Sequence, residues 1–242
     1  MKPDLRKFVV TAALIVLAAC GASEPAPETG TSEEVAVDSV NDRASEIIGP
    51  EIAPVSSTYK IVMLGDSLTA GFGLPPSEAL PAEIERTLRS ANGSVDVINA
   101  GVSGDTSAGG LARYDWSVAS ANPDLLVVAL GANDYLSGID PNLTRANLRA
   151  IIERALANDV EILLVSISTR SSAASDPRAA TFAEIYPELA QAYDIALFSG
   201  LVDPIFDRPN LLMQDGLHPT AEGVRMIAPP LSETIAEFLN TD

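Results

Sequence analysis

From Tyr59 onward, short β-branched apolar runs alternate with longer stretches of helical spacing. The apolar runs fall at 60–64, 95–98, 125–130, 162–167 and 195–198. The first, Ile61 to Leu64, is too short and too β-branched for a helix, and the runs are continuous in apolar residues, Lys60, Asp96 and Ser166 apart, rather than alternating. Strands of that kind belong to a parallel sheet covered on both sides. Helical stretches are expected at 80–91, around 111–119, at 143–156, at 179–192 and at 220–239, the last interrupted at Pro229-Pro230. The pattern predicts an α/β domain over 57–242: a three-layer α/β/α fold around a doubly wound, five-stranded parallel sheet.

That architecture says where to look for chemistry, because ligands bind outside the carboxyl ends of the strands. The first run leads straight into Gly65-Asp66-Ser67. Ser67 is a candidate nucleophile on a sharp turn; Ser and Asp at such a place also suit a helix cap. Residues 99–107 and 131–134 follow the second and third runs, and residues 215–219 precede the last helix. A serine hydroxyl needs a neighbouring base to become a nucleophile. His218 is the one imidazole in the chain. Asp215, three residues earlier, is placed to hold that imidazole in one tautomer, or else to cap the helix after Pro219.

Composition narrows the classes further. The formal net charge of −18 argues against a nucleic-acid partner and against electrostatic attachment to anionic lipid. One Cys and one His exclude an intrachain disulfide and a His-rich zinc site. Residues 65–71 lack the Lys that a P-loop requires. No metal and no organic cofactor is expected.

Four motifs stand in order: Gly65-Asp66-Ser67-Leu68, Ser103-Gly104-Asp105-Thr106-Ser107, Gly131-Ala132-Asn133-Asp134 and Asp215-Gly216-Leu217-His218-Pro219. In that combination the chain resembles the GDSL, or SGNH, hydrolase family over roughly 60–238. It is most similar to the branch of arylesterases and multifunctional acyl-thioesterase/lysophospholipase proteins. The resemblance implies a flavodoxin-like fold and a serine esterase acting on small ester or thioester acyl substrates. It assigns Ser67, His218 and Asp215 to a catalytic triad. It gives the oxyanion hole to the Ser67 and Gly104 backbone N–H groups and the Asn133 side-chain amide. Asp66, Asp105 and Asp134 are expected to brace loops or cap helices. Phe72, Leu74, Tyr135 and Leu136 are candidate substrate walls. Relatives carry a Pro- and Tyr/Asn-containing loop after the fourth strand, where this chain has a polar, mobile-looking segment at 168–178. That departure speaks against a long-chain acyl preference. It leaves open an O-acetyl esterase or acyltransferase acting on cell-envelope carbohydrate. A reading of another class, a non-catalytic binding lipoprotein on the same scaffold, would require a broken triad.

The N-terminal region reads differently. Lys2, Arg6 and Lys7 precede an apolar run at 8–19 that is shorter than the ~20 residues of a membrane span. The shape is that of a signal peptide over 1–20. Its end, Leu17-Ala18-Ala19-Cys20-Gly21, resembles a bacterial lipobox, which implies lipidation at Cys20. Residues 21–56 carry eight acidic side chains against Arg43 alone and read as a disordered tether. The expectation is an exported lipoprotein facing the periplasm, held at the inner or outer membrane, or free in the periplasm if Cys20 is not lipidated. Gly21 after the Cys fits the outer-membrane destination.

Overall fold

The computed structural model describes residues 58–91, 93–169 and 176–240. The expectations for residues 1–56, Cys20 included, and for 170–175 of the polar segment lie outside the described residues. In chain order the elements are β1 (Tyr59–Gly65), α1 (Ser67–Ala70), α2 (Leu80–Ser90), β2 (Val95–Gly101), α3 (Ser107–Ala112), α4 (Tyr114–Ser117) and β3 (Leu125–Ala129). There follow α5 (Ala132–Leu136), α6 (Pro141–Leu156), β4 (Glu161–Val165), α7 (Pro177–Tyr193), β5 (Ala196–Phe198) and α8 (Ala221–Phe238). No helix among the described residues is long and apolar enough to cross a membrane.

The five strands form one parallel sheet in the order β2-β1-β3-β4-β5. The two-residue period of a strand sends alternate side chains to opposite layers. Ile61 and Met63 of β1 join Leu125 and Val127 of β3 beneath α2 and α8. Val62 and Leu64 join Leu126 and Val128 beneath α6 and α7. Burying a side chain of this size contributes about 1.5–3 kcal/mol, so the buried side chains of Ile61, Val62, Met63 and Leu64 in β1 require a helical layer on each face. The chain crosses from β2 back over β1 to start β3, which makes the carboxyl ends of β1 and β3 the topological switch point.

Three expectations change. Helix α8 runs unbroken through Pro229 and Pro230. Both prolines lie on its exposed side, as do Arg225 and Met226, whose carbonyls would have met the missing N–H groups; water can satisfy them there. Val224, Ile227, Leu231 and Ile235 meanwhile stay buried on the other face. The helix expected around 111–119 is instead two short ones, α3 and α4, separated at Arg113. The fourth strand ends at Val165, so Ser166 and Ile167 belong to the loop beyond it, although the Ser166 N–H still donates to the Phe198 carbonyl at 2.9 Å.

Candidate active site

The end of β1 forces the nucleophile turn. A side chain at Gly65 would put a Cβ 2.0 Å from Thr69 Oγ1, so only glycine lets α1 fold back this closely on the strand. Asp66 caps α1, its carboxylate accepting from the Leu68 N–H at 3.1 Å. Ser67 is the first residue of that one-turn helix, and its carbonyl accepts from the Gly71 and Phe72 N–H groups at 3.1 and 3.0 Å.

The imidazole is delivered by the turn before α8. Asp215 Oδ1 accepts from the Leu217 N–H at 2.8 Å and from the His218 N–H at 3.0 Å. Its other oxygen lies 2.7 Å from His218 Nδ1. That contact selects the tautomer with the proton on Nδ1 and leaves the Nε2 lone pair free. Nε2 lies 2.9 Å from Ser67 Oγ, across 151 residues of sequence. The Phe72 ring covers the imidazole at 4.3 Å between centroids, tilted by 32°. The hydrogen bond from His218 and those from the two backbone N–H groups hold the Asp215 carboxyl down to about 2. It is therefore ionised throughout the neutral range. Asp66 behaves oppositely: burial pushes it up to about 6, against the pull of the Leu68 N–H and the nearby His218.

Ser67, Gly104 and Asn133 border one cavity of about 250 Å³, with His218 at its edge. Gly104 has φ +84°, a conformation that disfavours any side chain, and a Cβ there would touch no protein atom within 4 Å. The glycine is thus required by the backbone, and the space beside its Cα is open. Asn133 Nδ2 donates to the Asp105 carbonyl at 2.9 Å and lies 3.4 Å from Asp66 Oδ2. Asp134, fully buried, accepts from the Ser107 N–H at 2.8 Å, the Ser107 hydroxyl at 2.5 Å and the Thr144 hydroxyl at 2.9 Å. It pins the start of α3 to α5 and α6.

The four candidate walls divide. Phe72 and Leu136 line the cavity and are 47% and 61% exposed. Leu74 does not; it packs against the core layer under α2 and α8. Tyr135 does not either. Its ring meets Phe182 edge-on at 5.4 Å and its hydroxyl donates to Asp176 at 2.6 Å, which fixes the start of α7. The apolar lining comes largely from residues the sequence did not single out: Val165 at the end of β4, Ile167 just beyond it, and Leu201, Val202 and Phe206 after β5. Position after a strand was the one signal available for them. Among the described residues, no group of three or more His, Cys, Asp or Glu is placed to hold a metal ion.

Residues 63–226 match the model of the GDSL-like lipase/acylhydrolase family, well over half the chain. The chain belongs to this family. An arylesterase of Vibrio mimicus is 31% identical over 190 residues, which cover 77% of this chain and 93% of that protein. The thioesterase 1/protease 1/lysophospholipase L1 of Escherichia coli K12 is 33% identical over 182 residues, 75% of this chain and 86% of that one. Among solved structures, the psychrotrophic esterase EstA of a Pseudoalteromonas species superposes with a TM-score of 0.71 at 25% identity, covering 75% of this chain and 99% of that chain. This GDSL-family acylhydrolase is accordingly an ester-hydrolysing serine hydrolase with a three-layer α/β/α fold.

Proposed function

We propose that this GDSL-family enzyme hydrolyses esters and thioesters of apolar acyl groups, with Ser67 as nucleophile, His218 as general base and acid, and Asp215 as the partner of the imidazole. The observation that carries the reading is the relay from Asp215 through His218 to Ser67 Oγ, at 2.7 and 2.9 Å, on the rim of an apolar cavity. Ser67 Oγ attacks the acyl carbonyl while Nε2 takes its proton, and Asp215 stabilises the imidazolium that forms. Charge developing on the carbonyl oxygen is met by the Ser67 and Gly104 N–H groups and the Asn133 amide. Nε2 then protonates the departing alcohol or thiol. Water, deprotonated by the same nitrogen, releases the acid from Ser67.

The relatives named arylesterase and thioesterase 1/protease 1/lysophospholipase L1 support this substrate range, and so does the aliphatic lining from β4 and β5. EstA is described as inhibited by monoethylphosphonate, which recommends a phosphonate probe here. A fluorophosphonate should label wild-type protein and leave Ser67→Ala unlabelled. The variant should lose hydrolysis of p-nitrophenyl esters with its circular dichroism unchanged; near-normal turnover ends the proposal. A chain-length series set against acetylated glycans separates this reading from carbohydrate deacetylation. The same proposal includes export and lipid attachment at Cys20, supported by the sequence alone. Two or more acyl chains on that residue would hold the enzyme firmly at a membrane. Cys20→Ser should then leave the membrane fraction.

A further inference from the structure

Outside the cavity, the segments that carry the three oxyanion donors converge on one buried cation. Arg113 stands at the junction of α3 and α4 with its side chain 8% exposed, and it does not line the cavity. Its guanidinium bonds in three directions. One terminal nitrogen donates to the Gly65 carbonyl at 3.0 Å, at the end of the strand that presents Ser67. Nε donates to Asp105 Oδ2 at 2.6 Å, on the residue that follows Gly104. The other terminal nitrogen donates to Ser117 Oγ at 3.1 Å and anchors the group in α4.

Two further bonds close the circuit. The Gly65 carbonyl also accepts from the Val102 N–H at 3.1 Å, so the strand end and the start of the Gly104 loop share one acceptor. The Asp105 carbonyl accepts from Asn133 Nδ2 at 2.9 Å, so the residue whose carboxylate meets Arg113 also orients the third donor. Even the neighbouring helix makes room, since a Cβ on Gly109 would lie 1.9 Å from Asp105 Oδ1. A Cβ on Gly104 itself would meet no neighbouring atom within 4 Å. Its position is set by what holds Val102 and Asp105 on either side.

We infer that Arg113 is the positioning residue of the oxyanion hole: by bonding Gly65 and Asp105 together it fixes the spacing of the Ser67, Gly104 and Asn133 donors. This rests on the oxyanion reading given above. A planar fork can satisfy a strand carbonyl and a carboxylate at a fixed angle, whereas a lysine ammonium is a point charge on a flexible stem. Preorganised donors lose most of their effect when displaced, and a shift of about 1 Å costs roughly a hundredfold in rate.

The test is steady-state kinetics of Arg113→Lys and Asp105→Asn, each alone and combined with Asn133→Ala. Folding is checked by circular dichroism, and rates are read only from variants that keep the wild-type spectrum. Arg113→Lys should lower kcat by roughly ten- to a hundredfold while KM moves little. In the Asn133→Ala background the same change should cost clearly less, because one of the donors it positions is already gone. Asp105→Asn keeps the side chain's shape and carries the same expectation if Arg113→Lys does not fold. A folded variant with kcat within twofold of wild type overturns the inference, as do losses that multiply fully with Asn133→Ala. If Asn133→Ala alone leaves kcat unchanged, the oxyanion reading itself has failed, and the two failures are told apart.

Discussion

Replacing Asp66 by Asn is expected to stabilise the protein at neutral pH and to slow it. The carboxyl is 3% exposed, and burial raises it from 3.8 to about 6. The folded state thus holds this proton more tightly than the unfolded chain. The group's contribution to stability is complete below pH 3.8 and is lost as pH rises through about 6. A displacement of that size corresponds to about 3 kcal/mol. An asparagine removes the buried charge and keeps an oxygen for the Leu68 N–H, a bond weaker by about 1 kcal/mol than one to a carboxylate. The variant should therefore exceed wild type by about 1–2 kcal/mol at pH 7.5, or a few degrees in Tm. Near pH 4 that advantage should disappear. Urea unfolding of both proteins at pH 4, 5, 6 and 7.5 reads the difference directly and cancels the titration of every other group. A difference that stays level across this range, or that falls as pH rises, refutes the reasoning. Activity should move the other way. Asp66 Oδ2 lies 3.4 Å from Asn133 Nδ2, and an amide at position 66 can turn a second donor toward the first. A buried carboxylate beside the nucleophile, whose hydrogen bonds only partly offset its burial, is the kind of stability cost that active sites retain.

Other outcomes follow from the same geometry. Asp215→Asn can place an amide N–H against Nδ1 and favour the tautomer with the proton on Nε2; kcat should drop by about 10³–10⁴-fold with little change in KM, measured on p-nitrophenyl acetate. Because Asp215 stays ionised down to about pH 2, its protonation should add no step of its own to the pH dependence of kcat/KM above about pH 4, read on p-nitrophenyl acetate. Val202→Phe should fill the cavity beyond β5, cutting kcat/KM on octanoyl esters by about tenfold or more while sparing acetyl esters; equal losses on both would place the acyl chain elsewhere. Along the β2 edge, Glu85 Oε2 accepts from the Val97 N–H at 2.9 Å and Arg89 Nε donates to the Val95 carbonyl at 3.0 Å. Removing both side chains exposes an unpaired strand edge, and light scattering should then show concentration-dependent association absent from wild type.

The sequence alone reached the layers and the chemistry. Continuous apolar runs between helical stretches can bury both faces only in a covered parallel sheet, so the fold class followed from periodicity. Ser67, His218, Asp215, Gly104 and Asn133 were legible as candidates because each sits in a short motif beside a strand end or before the last helix. The tertiary structure decided what depends on distance. It brought His218 to Ser67 across 151 residues. It also separated Phe72 and Leu136, which line the cavity, from Leu74 and Tyr135, which serve packing. Local sequence could not make that distinction, since apolar side chains near a loop look alike until their neighbours are known. The same holds for α8, where two prolines read as a break until both fell on the solvent side. It holds most of all for Arg113, which has no motif of its own. Besides the Ser117 hydroxyl one turn on, its partners are a strand carbonyl and a loop carboxylate that only the folded chain sets side by side.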